Sequence, residues 1–493
     1  MGSRVVLQYV YHSPPPAFLP NHYVGSWLFQ GVNRQLGMAR WVVQVPAGRQ
    51  LAMHIQGPIE HAQERVGELD VHTFTASGVP PFVPEPQMPP VGDQIALVTL
   101  STLTDWSDYV EWERALLSEV FESNADLRAR AAGLVEGAET TRERINRIYR
   151  YVAQEIRYQQ DYEDTIAGVR PHSCPVVLER GYGDCKDKAV LMILLARELG
   201  IDVRFTVLRT TSAGEVRRDV PNQQFNHAIV YVPVQEGIEE GFFMDPTTDG
   251  LDMGNLRGDD QGATALVLDP EDGQWAFIEI PYQSPDLTYY RCTIDVSVAG
   301  EEAATAETDC QLRGSVASMF RRAMRNEERA GQVRQNVAHA LFQGSSVTDA
   351  STEHLDDIDD PLRMHLTLNA SSALQAHGEE RRMRVPVLFS LGRLTRLERR
   401  RTPLRLGVPD STRWAVSFEV PRGGRIVRVP EDFSIEHECF TVSRRSQTHG
   451  RRATVTVEYS RTCPDISPEL YPEFRRQAQR ASTRLQDEVV FEL

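Results

Sequence analysis

The sequence predicts an α+β chain: a core of helices on an antiparallel sheet, set between two mainly-β, sandwich-like domains. Three observations predict it. Short β-branched runs between proline and glycine punctuation dominate both ends of the chain. Near Trp106 the apolar pattern changes to a helical period. The run Ala189–Ala196 is apolar on every side, which marks a buried helix, and strand-like segments follow it. At 493 residues the chain has the length of about three domains. The pattern places their boundaries at 1–104, 105–285 and 286–493, the first incomplete at its start if a segment precedes Met1.

The elements follow in order. Val5, Leu7, Tyr9 and Tyr11 alternate as one face of a strand, and Trp41–Val45 and Ile95–Leu100 read as further strands. The six prolines between Val79 and Pro90 exclude a central strand, because proline donates no ladder hydrogen bond. Thr140 and Glu143 form a capping box, followed by Ile145, Ile148, Tyr149, Val152 and Ile156 at helical spacing. A loop over Gln159–Pro175 leads to the buried helix, which Gly200 ends. Val203–Leu208, Ala228–Val232 and Gly241–Met244 read as strands. Beyond Tyr289, Thr293–Val298, Met364–Leu368, Val385–Phe389 and Thr454–Tyr459 read as strands, with one helix between Val316 and Leu341 and another near Glu469–Leu485.

Composition narrows the partners. The net charge is −16, so the molecule as a whole repels nucleic acid. No apolar run approaches the ~20 residues that a membrane helix needs. Six cysteines are too few for a disulfide scaffold. Cys292 and Cys310 pair if the protein is exported and stay core thiols if it is cytoplasmic. Met1–His12 has no charged segment followed by a long apolar one, so the chain as it stands reads as cytoplasmic. It reads as periplasmic or exported if an N-terminal segment is missing.

The chemistry concentrates in the middle. Gly183-Asp184-Cys185 opens the buried helix, with Asp184 as its N-cap. The unpaired N–H groups at a helix start favour a thiolate there and can hold an oxyanion. A thiolate nucleophile needs a histidine, and the histidine an orienting acceptor. His227 stands at the mouth of one strand, and Asp245, stopped by Pro246, at the end of the next. Antiparallel pairing of those strands brings the two side by side.

Gly183-Asp184-Cys185-Lys186-Asp187-Lys188-Ala189, Phe225-Asn226-His227 and Asp245-Pro246-Thr247 together resemble the bacterial transglutaminase-like superfamily. The likeness is to its multidomain subgroup, whose core lies between two β domains of unknown function. Thr102–Trp106 and Ile156-Arg157-Tyr158 match the entry of that core, so the motifs cover roughly residues 100–250. The resemblance implies a papain-related fold and a triad of Cys185 as nucleophile, His227 as base and acid, and Asp245 as the imidazole's partner. It implies attack on a peptide or protein amide through a thioester, ending in hydrolysis or transamidation, without metal or cofactor. Tyr182 and Asn226 are candidate second oxyanion donors. The alternative function is a peptide-binding scaffold that has lost turnover.

Other signals carry less. His172-Ser173-Cys174 fits no common zinc spacing. Asp356–Asp360 lacks the glycine and closing glutamate of a calcium loop and reads as a solvated acidic loop. The arginines from Arg381 to Arg405 read as an exposed strand-and-turn face. Of 53 basic residues only Lys186 and Lys188 are lysines, and both flank Cys185. The expectation is that one reaches out to a carboxylate of a neighbouring domain while the other lies near the cleft, so that arginine replaces neither well.

Overall fold

The described chain falls into a strand-rich first region, a middle region of helices on a sheet, and a last region built on an eight-stranded sheet; the middle one carries the reactive groups. The computed structural model describes residues 22–160 and 168–493. The strand expected at Val5–Tyr11, and part of the Gln159–Pro175 loop, lie outside the described residues.

The first region contains two three-stranded antiparallel sheets. In one, Leu97–Ser101 is central between Val24–Leu28 and Ala52–Gln56; in the other, Leu69–Ser77 is central between Met38–Pro46 and Glu60–Val66. Phe29, Phe74, Val98 and Leu100 are buried in one core. The proline-rich connection is extended and serves as a clamp. The Glu85 carboxylate accepts from the backbone N–H groups of Arg401 and Thr402 and from the Thr402 hydroxyl at 2.7 Å. Arg400 stands 3.7 Å from it with its side chain 2% exposed.

In the middle region, helices α1 (Trp106–Ser118), α2 (Ala125–Leu134), α3 (Thr141–Arg150), α4 (Cys174–Arg180) and α5 (Cys185–Arg197) pack on a five-stranded antiparallel sheet. The strand order is Phe242–Met244, His227–Val232, Arg204–Leu208, Thr264–Leu268, Trp275–Glu279. The last two strands extend the three read from the sequence. Ala189–Ala196 is buried throughout, as a helix apolar all round requires. Burial of each Val, Leu, Ile or Met side chain in it contributes about 1.5–3 kcal/mol. The Thr140–Glu143 capping box is present. α3 ends at Arg150 and gives way to one π turn, Tyr151–Glu155, so the expected helical run to Ile156 is shorter. The loop expected up to Pro175 likewise ends early, where α4 begins at Cys174.

The last region is built on an eight-stranded sheet. Tyr289–Gly300 pairs parallel with Asp410–Glu419 and antiparallel with Ala303–Arg313, and alternate residues of Tyr289–Gly300 face the core. A four-stranded sheet includes Glu380–Arg384 and Glu488–Glu492. Cys292 and Cys310, opposite each other on paired strands, are joined in a disulfide, as are Cys439 and Cys463. The expected helix near Glu469–Leu485 is α8, Tyr471–Arg484.

Two expectations for this region are corrected. The helix between Val316 and Leu341 is two, α6 (Ser315–Met324) and α7 (Glu327–Leu341), because Asn326 caps a new start by accepting from Arg329 N–H. Val385–Phe389 is not a strand; pairing stops at Arg384, since Pro386 lacks an N–H. The arginine stretch is largely exposed, as expected, with Arg384, Arg393, Arg396, Arg399 and Arg401 at the surface, while Arg381 and Arg400 are buried and held by Glu301 and Glu85. Asp356–Asp360 is a solvent-facing acidic loop, as expected, and it is tied down: Asp357 and Asp359 pair with Arg150, and the carbonyls of Asp357 and Asp360 accept from Arg321.

Candidate active site

The start of α5 is fixed by its own side chains. Asp184 accepts from Asp187 N–H while the Asp187 carboxylate accepts from Asp184 N–H, a reciprocal capping box. Gly183 is required by contact, because a Cβ there would lie 2.7 Å from Asp187 Cβ. Asp187 also accepts from His172 N–H at 2.7 Å and faces the His172 ring at 3.1 Å. His172 thus pins the approach to Cys185, and Cys174 is a separate buried thiol that burial pushes up to about 12.

Cys185 is half-buried at the first turn and lines a cleft with Glu113, Lys186, Gln223, Phe225 and His227. The His227 and Asp245 strands pair antiparallel with Val230 opposite Met244. That register brings His227 Nε2 to 3.2 Å from Asp245 Oδ2. Cys185 lines the same cleft as this imidazole, and with Nε2 turned to Asp245 the ring's other nitrogen, Nδ1, is not engaged by the carboxylate. Burial works against a charged imidazole, but the Asp245 carboxylate outweighs it, and His227 is held well above the usual range. Burial alone would raise Asp245; the imidazole, Arg257 and the Thr247 hydroxyl reverse this and hold it well below the carboxylate range. Thr247 donates to Asp245 Oδ1 through its N–H at 2.8 Å and its hydroxyl at 2.6 Å.

With this geometry in place, the comparisons with known proteins become informative. Residues 128–238 match the family model described as Transglutaminase-like superfamily. The middle of this chain is a transglutaminase-like domain. Residues 384–491 match DUF3858, a domain of unknown function with a solved structure. A crystal structure of a "putative protease" from Parabacteroides distasonis superposes with a TM-score of 0.60 at 12% identity, covering 96% of this chain and 75% of that one. The fold is therefore shared along nearly the whole chain. A "putative cysteine protease" from Cytophaga hutchinsonii is 14% identical over 46% of this chain and 75% of its own, with a TM-score of 0.21. No curated protein matches.

The transglutaminase-like core places the other singled-out residues in supporting positions. Both lysines are buried, which corrects the expectation that one reaches out to another domain. Lys186 pairs with Asp184, whose carboxyl is raised by burial and by Asp187. Lys186 also faces Glu113, a fully buried carboxyl that burial pushes up to about 7 and that accepts from the Tyr109 hydroxyl at 2.9 Å. Among the described residues Lys188 pairs with no carboxylate. It donates to the carbonyls of Ile156 at 2.7 Å and Ala153 at 3.2 Å, and burial lowers it to about 8. Asn226 Oδ1 and Nδ2 bond Thr210, and Tyr182 lies beneath the guanidinium groups of Arg157 and Arg180.

Three groups were not read from the sequence: Glu113, Arg257 and Asp260. Arg257 Nη1 lies 3.3 Å from His227 Nε2, and Asp260 Oδ1 lies 3.9 Å from the same atom. Ligand atoms of His227, Asp245 and Asp260 fall within 4.8 Å of one another, a spacing that suits a metal ion. The guanidinium of Arg257 already brings a cation to that cluster. His354, Asp357 and Asp360 form the second such group among the described residues. Leu256–Asp260 looks in sequence like an ordinary glycine-containing turn, so nothing in its pattern announces a role.

Proposed function

We propose that the protein is a cysteine-dependent acyl-transfer enzyme acting on peptide or protein amide bonds. The observation that carries this reading is the imidazole of His227, bonded to the Asp245 carboxylate at 3.2 Å, on the same cleft as the Cys185 thiol at the start of α5. In the reaction Cys185 Sγ attacks the amide carbonyl, and the α5 N-terminus faces the oxyanion that forms. His227, protonated and oriented by Asp245, gives its proton to the leaving amine as the C–N bond breaks, leaving a thioester on Cys185. Water or a second amine, deprotonated by His227, then attacks the thioester and releases the acid or a new amide.

Asn226 and Tyr182 are engaged elsewhere, so the side-chain donor to the oxyanion is assigned to Gln223. It lines the cleft, and its Oε1 accepts from Phe225 N–H at 2.9 Å, which fixes its NH2 as the other end of the amide. The disulfides Cys292–Cys310 and Cys439–Cys463 support the reading that the enzyme works in an oxidising compartment outside the cytoplasm.

The test is an acyl-enzyme trap. The purified chain is mixed with a pool of short peptide amides, quenched in acid and digested, and the Cys185 peptide is weighed. A thioester adduct on Cys185, absent from Cys185→Ala, is expected together with release of amine. Peptide bound without adduct or released amine would favour the scaffold reading instead.

A further inference from the structure

Asp260 is fully buried, and neither of its carboxyl oxygens has a hydrogen-bond partner among the described residues. The other buried aspartates around the site are satisfied. Asp245 accepts twice from Thr247, Asp252 accepts from Gly254 N–H and Asn255 Nδ2, and Asp187 accepts from Asp184 and His172 N–H. An ionised carboxylate without hydrogen bonds in the interior carries a large desolvation cost. Asp260 is nevertheless placed beside the reactive imidazole, 3.9 Å from Nε2, on the side that Asp245 also faces. Two carboxylates on one imidazole do not both ionise easily, and the second keeps its proton.

The groups around this pair define its charge. Asp245 is anionic and anchored by Thr247. Arg257 presents Nη1 to His227 Nε2 and Nε to Asp245 Oδ2 at 3.9 Å, and is itself gripped by Asp259 through Oδ1 at 3.1 Å and Oδ2 at 2.9 Å. Cys185 faces the imidazole from α5, and the Tyr149 hydroxyl from α3 donates to the Asp245 carbonyl. Arg257 therefore works against the imidazolium, Asp245 works for it, and Asp260 adds to one side only when it loses its proton.

We propose that Asp260 is a positioning residue for His227, a buried acid that shares its titration with the imidazole and so sets how readily the imidazolium releases its proton. While Asp260 is neutral, the imidazolium faces one anion and remains a competent acid towards the leaving amine. Once Asp260 ionises, a second anion holds the proton on His227. Burial first and Asp245 second push Asp260 well above the carboxylate range, in keeping with this role. The inference rests on the triad reading of Cys185, His227 and Asp245.

The experiment is NMR titration of the full chain labelled in its histidine rings. The His227 signal among the 13 histidines is assigned by its loss in His227→Gln. The parent protein is expected to titrate His227 in two steps. Asp260→Asn, nearly isosteric and unable to ionise, is expected to give one step displaced by about one pH unit to lower pH. Arg257→Gln, at a half-exposed site, is expected to move the curve the opposite way. Simple loosening of the fold does not produce opposite signs. A His227 curve unchanged by Asp260→Asn overturns the proposal. If that variant does not fold, a curve unmoved in Arg257→Gln overturns it. Asp245→Asn separates the two readings: a curve that it leaves unchanged rejects the triad, whereas one that moves with Asp245→Asn but not Asp260→Asn rejects only the role of Asp260.

Discussion

Lys188 Nζ donates to the Ile156 carbonyl at 2.7 Å, tying the first turn of the Cys185 helix to the end of the π turn that follows α3. A π turn leaves carbonyls outside the ordinary helical ladder, and it is commonest where function requires a fixed irregularity. Here the freed carbonyls of Ala153 and Ile156 are taken by one ammonium on a flexible stem. Beyond the turn, Arg157-Tyr158 pairs parallel with Tyr182-Gly183, the segment that delivers the chain to Cys185. The lysine thus braces both approaches to the nucleophile.

Replacement of Lys188 should therefore be costly even by arginine. The planar guanidinium is larger than the ammonium in a site of no exposure, and overpacking of this kind costs about 1–3 kcal/mol. Lys188→Met should leave the two carbonyls unpaired yet remove a charge that burial disfavours. Because Lys188 is lowered to about 8 from 10.5, the unfolded chain binds the extra proton between those values. Parent stability should therefore rise relative to Lys188→Met as pH increases from about 8 to about 10.5, and the penalty should be full below 8. Urea unfolding of the two proteins across that range reads the difference directly, and parallel curves would contradict the assignment.

The thiols give the second prediction. Four of the six cysteines are joined in disulfides, leaving Cys174 and Cys185 free. Cys174 is buried and pushed up to about 12, so it should stay unlabelled while the fold is intact. Brief iodoacetamide treatment at neutral pH should label Cys185 alone, and urea should expose Cys174 as a second site. Labelling mainly at Cys174 in the native protein would remove the basis for assigning the nucleophile.

How much of this was legible is instructive. Cys185, His227 and Asp245 could be read because each stands at a locally marked place: a capped helix start, a strand mouth, and a strand end before Pro246. Their supporting groups come from other elements. Glu113 is one polar position on α1, and Asp260 lies in a loop whose pattern resembles any turn. The burial of Lys188 was hidden because its acceptors lie in and just after a π turn, and apolar spacing cannot distinguish that from continued α-helix. Cys439 and Cys463 were not paired in advance, since only the folding of Phe440–His449 on Arg452–Arg461 brings them together.

The third prediction concerns Asp245→Asn. Oδ1 can keep accepting from Thr247 N–H, so the turn before Pro246 should survive and the melting temperature should move little. Oδ2 faces His227, and an amide there can present hydrogens to Nε2, which turns the imidazole to the wrong tautomer. Turnover of any amide substrate should fall on the order of 10²–10⁴-fold, with slower alkylation of Cys185 as a substrate-free readout. Unchanged alkylation with a clearly lower melting temperature would make Asp245 a turn residue and nothing more.

The last prediction joins the lysine count to the chemistry. A thioester on Cys185 can pass its acyl group to any accessible primary amine, and lysine side chains are the usual donors on proteins. This chain has two lysines in 493 residues, and both are buried, with Lys186 5% and Lys188 0% exposed. Lys186 is additionally paired with Asp184, and Lys188 is committed to two carbonyls. Neither ammonium can meet the thioester of a second molecule without unfolding α5. Concentrated enzyme should therefore form no lysine-linked ladder on a denaturing gel, however long it is incubated. Adding a small fluorescent alkylamine together with a glutamine-containing protein supplies the missing amine: incorporation that depends on Cys185 identifies transamidation, and cleavage without incorporation identifies hydrolysis. A strong self-linked ladder with isopeptide bonds at Lys186 or Lys188 would show that the buried geometry of the α5 entrance is wrong.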